Sequence, residues 1–327
     1  MAAKPEDIWS RREEIEAPPD PDRYTALRRL ATLPEHRFVV SLGGGSVPGI
    51  SGNLAMIRLL EELDLKSHVD EIWGTSAGAI VGGAWATGTD AERIFDLLSE
   101  LGRGRTLDVC WWRLATAVLM RPFGGSLPQG LIHGRRFAAA IERGMACKLI
   151  EDCPISFRSI ACSDDGRLRR KIFRRGPVKS AIIASMSMPG ILMPRPIDED
   201  GGKTYYDGGL VEKTPLISPI AEHNRAGDDR KLVLLATHYG AEGERLIGRN
   251  FVSRFIQGLY ALEDLAWGYQ LVEARSHDNV VLLLLNPHIE GIGLFDFDKV
   301  QLSYLQARSA FKELLENSRI ALTFGLD

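Results

Sequence analysis

The chain of 327 residues is poor in the features that would take it out of the ordinary globular class. It has four cysteines, Cys110, Cys147, Cys153 and Cys162, none in a CxxC pair and none spaced with histidine as a metal site requires. That excludes a disulfide-stapled scaffold and predicts reduced, structural thiols. No run approaches the roughly 18 consecutive apolar residues that a membrane-spanning helix needs. The N-terminus, "MAAKPEDIWSRREEIEA", is charged where a secretory leader would carry an apolar core, so a cytoplasmic or peripheral membrane location is expected. Net charge is −3, from 40 basic and 43 acidic residues, which leaves no global positive field to attract nucleic acid. Internal repeats and low-complexity tracts are also missing.

What is present is an ordinary globular composition, 45% hydrophobic and 25% charged, in a chain long enough to bury a sizeable core. Residues 1–34 are rich in charge and proline and read as an N-terminal charged extension, leaving 35–327 for the folded domain. "RFVVSL" then reads as a strand before a glycine cluster. "NLAMIRLLEELDL" reads as a helix, because Leu54, Ile57, Leu60 and Leu63 recur at helical spacing. The pattern repeats at once: "DEIW" predicts a strand, Gly74 to Gly78 a turn, and "AGAIVGGAWATG" a small-residue helix ending at Gly88. Two consecutive strand-turn-helix units predict a parallel sheet with helices packed on it. Further strands are predicted in "ISFRSIACSD", "KIFRRG", "TYYDGG", "KLVLLATHY" and "NVVLLLLNP". The last two are continuous apolar runs, as buried parallel strands are. Helices are expected around 250–276 and 299–316.

The turn "GTSAG", residues 74–78, fits G-x-S-x-G, in which a serine sits on a sharp strand-to-helix turn. Gly74 and Gly78 flank it because a side chain at either place would meet the neighbouring strand or helix as the backbone doubles back. Ser76 is thereby predicted at the carboxyl edge of the sheet and at the positive end of the following helix, where developing negative charge is favoured. In a chain with 33 glycines the five-residue pattern alone is weak; the strand before it and the helix after it give it weight.

A serine that attacks an ester needs pre-placed N–H donors about 3 Å from the oxyanion it creates. Gly43, Gly44 and Gly45 end the preceding strand at the same sheet edge, and with Ala77 they are candidate donors. A phosphate-binding loop is the competing explanation for three glycines, but the stretch lacks the lysine of G-x-x-x-x-G-K-[ST] and a clear spaced acid. A plain structural turn is the other alternative.

Serine also needs a proton acceptor. His223, His238, His277 and His288 all follow Ser76; His238 and His288 each follow a predicted strand, which leaves a histidine triad open. The stronger local signal is "YYDGG", residues 205–209, where Asp207 ends a strand and two glycines free the backbone around it. An aspartate whose charge is poorly solvated has its pKa raised toward the working range and takes up the serine proton directly. A surface turn also reads D-G-G.

In this order, the G-G-G loop, the G-T-S-A-G turn and the D-G-G turn make the chain resemble the patatin-like phospholipases. The likeness runs from about residue 37 to about residue 317 and includes "GTSAGAIVGGAWATG", "SMSMPGILMPRPIDEDGGKTYYDGGLVEKTPL" and "LFDFDK" near the end. The resemblance implies a three-layer α/β/α sandwich with a mostly parallel central sheet, formed by an acyl hydrolase domain over residues 35–327. It implies a Ser76/Asp207 dyad without catalytic histidine, metal or cofactor, and an oxyanion hole from Gly43, Gly44 and Gly45. Gly74, Thr75, Ala77 and Gly78 would form the nucleophile elbow, and Gly208 and Gly209 the turn beside the aspartate. The substrate implied is a phospholipid, a lysophospholipid or another acyl-ester lipid. One departure stands out. The family's glycine loop commonly continues through a basic residue, whereas here it runs Ser46, Val47, Pro48, Gly49, with no lysine or arginine, an apparently longer loop, and a proline that offers no N–H.

Two segments outside the motifs bear on lipid contact. "VCWWRLATAVLM" clusters Trp111 and Trp112 with aliphatic residues, either as a lid that dips into a lipid interface or as a core helix beside the site. "RLRRKIFRR", residues 167–175, is the one dense basic run, either an anionic-lipid contact or an edge hairpin blunted by charge. Three functions stay open at this level: a lipid acyl hydrolase with a Ser/Asp dyad, a general esterase or acyltransferase with a histidine triad, and a non-catalytic lipid-binding member of the fold.

Overall fold

A computed structural model describes residues 5–103, 130–240, 251–293 and 296–317. The strands are β1 (His36–Leu42), β2 (Glu71–Thr75), β3 (Gly130–Ile132), β4 (Ser156–Ser163), β5 (Arg170–Phe173), β6 (Gly190–Leu192), β7 (Tyr205–Asp207), β8 (Lys231–Thr237) and β9 (Val280–Leu285). The main sheet runs β5-β4-β2-β1-β8-β9, with β7 also paired to β4, while β3 and β6 pair apart from it. β4, β2, β1, β8 and β9 are mutually parallel, and β5 and β7 lie antiparallel on β4. This is the mostly parallel sheet expected.

Period-two alternation sends the two sides of each strand to different cores. Phe38, Val40 and Leu42 of β1, with Val233 and Leu235 of β8, join one apolar cluster with side chains of the helices Ser46–Glu62, Ala77–Ala86 and Val300–Leu314. Val39, Leu232, Leu234 and Ala236 face the other way, among Leu216, Ile220 and Ala274 of the helices around Ile217–Ala226 and Phe251–Arg275. Helices therefore cover both faces, which makes the fold a three-layer α/β/α sandwich.

Residues 5–32 are largely helical and pack onto the sandwich. Ile8 and Ile15 cluster with Leu305, and the buried Arg308 donates Nε–H to the Ile15 carbonyl at 2.8 Å while Nη2 reaches Glu62 Oε2 at 2.7 Å. The basic run falls where a charged edge belongs, since β5 is the outer strand of a hairpin with β4.

One sequence expectation is corrected, and two details come only from the structure. β9 is apolar throughout yet ends the sheet, and of its residues only Leu283 and Leu285 are buried. The helix after the glycines begins at Ser46, so Pro48 sits in a first turn whose N–H groups have no intrahelical acceptor in any case. Cys147 and Cys153 bring their free thiols to 3.3 Å, a juxtaposition their spacing did not reveal. Cys110, Trp111 and Trp112 lie outside the described residues.

Candidate active site

Ser76 follows the last residue of β2 and precedes the helix Ala77–Ala86. Its backbone is strained, with φ 52° and ψ −115° in a region that residues with a side chain avoid. The strain persists because the elbow is packed too closely to relax: a methyl on Gly78 would stand 1.9 Å from the Leu42 carbonyl oxygen, the end of the adjacent strand. The sequence-predicted reason for that glycine is therefore met by a specific backbone contact.

Asp207 reaches the same place by pairing rather than by sequence. Thr75 of β2 is in register with Ile160 of β4, and Asp207 of β7 with the next residue, Ala161. β4 acts as a ruler on which β2 and the antiparallel β7 both end, at successive residues. Ser185 fastens the two turns together. Its Oγ accepts the Ser76 N–H at 2.8 Å and donates to the Ile160 carbonyl, and its own carbonyl accepts the Gly208 N–H at 3.1 Å.

Asp207 is buried, 4% exposed. Its Oδ1 accepts the Gly209 N–H at 2.7 Å, but Oδ2 is buried without a hydrogen bond of good geometry among the described residues. Desolvation pushes this carboxyl up to about 7, opposed by the hydroxyl of Ser76 and the Gly209 N–H, with Glu263 adding to the rise and Lys213 opposing it. Glu212, five residues on, shows the contrast: equally buried, its carboxylate takes the N–H groups of Leu216 and Ser218, the Ser218 hydroxyl and Arg170 Nη1. Glu212 is a satisfied structural acid, whereas Asp207 is a buried carboxyl with one oxygen left without such a bond among the described residues.

The glycine loop abuts the elbow, since a methyl on Gly44 would stand 3.2 Å from Ser76 Cβ. Its three N–H groups are not equivalent. That of Gly43 donates to Thr237 Oγ1 at 3.1 Å and that of Gly44 to the Lys213 carbonyl at 2.8 Å, which corrects the expectation of three free donors. Among the described residues the N–H groups of Gly45 and Ala77 carry no such bond, and both residues border the same pocket as Ser76 and Asp207. The loop is held from below by Asn53, whose Nδ2 donates to the Gly43 carbonyl at 2.8 Å while Oδ1 accepts from Thr237 and Tyr239.

The pocket above Ser76 is mainly apolar, lined by Ile80, Met188, Ile191, Leu192 and Phe297 among others, with Lys213 and Glu263 as its added charges. Phe297 belongs to the "LFDFDK" segment singled out in the sequence. The histidines lie elsewhere. His238 stacks on Trp267 with ring centres 3.8 Å apart, and its Nδ1 is 3.0 Å from Thr214 Oγ1. Burial, and secondarily the Lys213 charge, lowers its pKa to about 3. His288 is exposed and pairs with Glu290 at 2.7 Å. Neither borders the pocket.

Sequence reasoning missed Asn53, Ser185, Lys213, Thr237 and Glu263. Thr237 had a signal, because it ends a parallel strand at the carboxyl edge where such sites form. Ser185 and Glu263 had none, since their roles depend on contacts with residues far away in the chain. On the outer side of the helix Phe251–Arg275, Leu262, Leu265, Tyr269 and Val272 are 60–73% exposed and follow helical spacing along one stripe. No helix of the described residues is long and apolar enough to cross a membrane.

Comparison with known proteins gives a match to the patatin-like phospholipase family over residues 40–220. An uncharacterised NTE family protein of Mycobacterium tuberculosis is 25% identical over 245 residues, 72% of this chain and 60% of the relative. The chain thus spans less than two thirds of that relative's length. A lysophospholipase of Cryptococcus neoformans is 31% identical over 185 residues, 56% of this chain and 10% of that protein. The crystal structure of VipD from Legionella pneumophila aligns with a TM-score of 0.41 at 14% identity, covering 86% of this chain and 67% of VipD.

Proposed function

Because the chain belongs to the patatin-like phospholipase family, we propose that it is a serine lipid acyl hydrolase, cleaving carboxylic esters of phospholipids or lysophospholipids through a Ser76/Asp207 dyad. The observation that carries this is the buried Asp207 carboxyl within the influence of the Ser76 hydroxyl, with Oδ2 lacking a hydrogen bond of good geometry among the described residues. An acid titrating near 7 suits a general base at neutral pH.

In the first half-reaction Ser76 Oγ attacks the ester carbonyl carbon and its proton passes to Asp207. The carbonyl oxygen becomes an oxyanion met by the Gly45 and Ala77 N–H groups, at the positive end of the helix that follows Ser76. Collapse breaks the bond to the alcohol, which leaves with the proton from Asp207. Water then gives its proton to Asp207 and attacks the acyl-serine, and the fatty acid leaves as Ser76 recovers its proton. The apolar lining from Ile80 to Phe297 suits the acyl chain, and no step calls for histidine.

Peripheral contact with a lipid surface completes the reading. It is supported by the exposed stripe on Phe251–Arg275, because the neighbour of Leu262 on that helix, Glu263, lines the pocket. The test is hydrolysis of a short p-nitrophenyl ester and of mixed phospholipid vesicles by wild type, Ser76→Ala and Asp207→Asn, each checked for folding. Activity that disappears in both variants, with fluorophosphonate labelling lost in Ser76→Ala, is expected. Full activity in Asp207→Asn would place the base elsewhere.

A further inference from the structure

The pocket holds a second set of charges that the dyad chemistry does not use. Lys213 follows the short helix Gly209–Glu212; its carbonyl fixes the Gly44 N–H, and its side chain, 4% exposed, lines the pocket. Nζ is 3.4 Å from Glu263 Oε2 and 3.9 Å from Asp264 Oδ1. Glu263 comes in from the helix Phe251–Arg275. It converges with Asp207 on one point: a methyl on Gly209 would lie 3.0 Å from Asp207 Oδ1 and 3.0 Å from Glu263 Oε1.

This arrangement is not built for strength. Taking a lysine and a glutamate out of water is costly, and apolar residues of similar size often serve a fold as well or better. The Arg308–Glu62 pair shows what a structural pair looks like here, at 2.7 Å with backbone carbonyls taking further guanidinium N–H groups. The Lys213 Nζ distances to the Glu263 and Asp264 carboxylates are longer than the 2.7–2.9 Å or so of a strong charge-assisted bond. Their distinguishing property is position, with one cation and one carboxylate both next to Asp207.

We propose that Lys213 and Glu263 are positioning residues for the proposed base, acting in opposition: Lys213 favours the ionised carboxylate of Asp207, and Glu263 disfavours it. The proposal rests on the dyad reading. Among the described residues the charged or titratable groups facing Asp207 are few. Glu263 comes from the long helix, Lys213 from the turn after Gly209–Glu212, and Cys162 from β4, while Asp264 on the long helix acts on Glu263 and Lys213. Burial, then the Asp165, Asp207 and Asp164 charges, pushes the Cys162 thiol up to about 11, so it is neutral near pH 7. Burial raises Glu263 as well, and Lys213 opposes that rise, so the lysine holds both carboxylates toward their charged forms. It also supplies a cation to a pocket whose glycine loop lacks the family's basic residue, from a different segment of the chain.

The experiment is the pH profile of kcat/KM for a short p-nitrophenyl ester with the full chain as wild type, Lys213→Met, Glu263→Gln and the double variant. Lys213→Met should move the acid limb up and Glu263→Gln should move it down, each by roughly one pH unit, and the double variant should return near wild type. Limbs that stay put while the plateau falls, or that move in the same direction, overturn the proposal.

Asp207→Asn separates this from the parent reading. If that variant stays active, the dyad has failed. If it is dead and the limb still does not respond to Lys213 or Glu263, only the present inference falls. Where a variant turns over too slowly, the same two substitutions are compared in urea unfolding with and without Asp207→Asn. The pH at which Asp207 affects stability must then shift up without Lys213 and down without Glu263; unchanged curves refute it equally.

Discussion

Replacing Asp207 with asparagine is expected to stabilise the protein, and increasingly so as pH rises. Burial holds this carboxyl at about 7 in the fold against a reference of 3.8, so the folded state keeps a proton that the unfolded chain loses. The sign follows from linkage. Below about pH 4 both states are protonated and the group costs nothing; from there to about 7 the unfolded state ionises alone and stability falls; above 7 the cost is constant. A shift of about three units corresponds to roughly 4 kcal/mol, of which roughly 2.5 kcal/mol develops between pH 5 and pH 8. The asparagine side chain would keep the acceptor for the Gly209 N–H and cannot ionise. Any cost of seating its amide is independent of pH and cancels when the two pH values are compared. The assay is urea unfolding of both proteins at pH 5 and pH 8, with equal m-values as the check that the transitions are comparable. A stability difference that stays flat within about 0.5 kcal/mol across that range would show that Asp207 is not a strained buried acid.

Gly78→Ala sets a methyl 1.9 Å from the Leu42 carbonyl, backbone against backbone, and should cost more than about 4 kcal/mol or prevent folding. A variant that melts with wild type contradicts the tight elbow. Asn53→Ala removes the acceptor of two hydroxyls and the donor to the Gly43 carbonyl, all buried, and should cost about 2–4 kcal/mol with kcat falling more than KM rises. An unfolding midpoint equal to wild type would mean the loop is held by other contacts. Leu265→Glu combined with Tyr269→Glu should weaken sedimentation with phosphatidylcholine vesicles by about tenfold or more, while hydrolysis of a soluble ester stays within about twofold. Unimpaired vesicle binding would remove this stripe from lipid contact.

Much of the site was legible because the demands involved are local. A strand must run straight into a sharp turn and then a helix, so apolar run, glycine, serine, glycine and small-residue helix appear together over residues 71–86. The D-G-G turn is equally local. β9 shows the limit of such signals: Val280–Leu285 has the composition of a buried strand, but edge or centre is decided by which strands pair, and composition does not encode that. The two histidines that followed predicted strands were plausible for the same reason, and they are excluded from the pocket by where their strands and loops end up.

By itself the sequence determined the alternation of strands and helices, the strained serine turn and the presence of an aspartate able to sit near it, because backbone sterics and hydrophobic period act over a few residues. Only the tertiary structure decided the rest. The distance between Ser76 and Asp207 depends on two strands meeting successive residues of β4. Which glycine N–H groups stay open depends on Thr237 and Lys213, and whether Asp207 is a base or a salt-bridged surface acid depends on its burial beside Glu263. Desolvation and charge are fields summed over everything packed around a group, and nothing short of the packed chain specifies them.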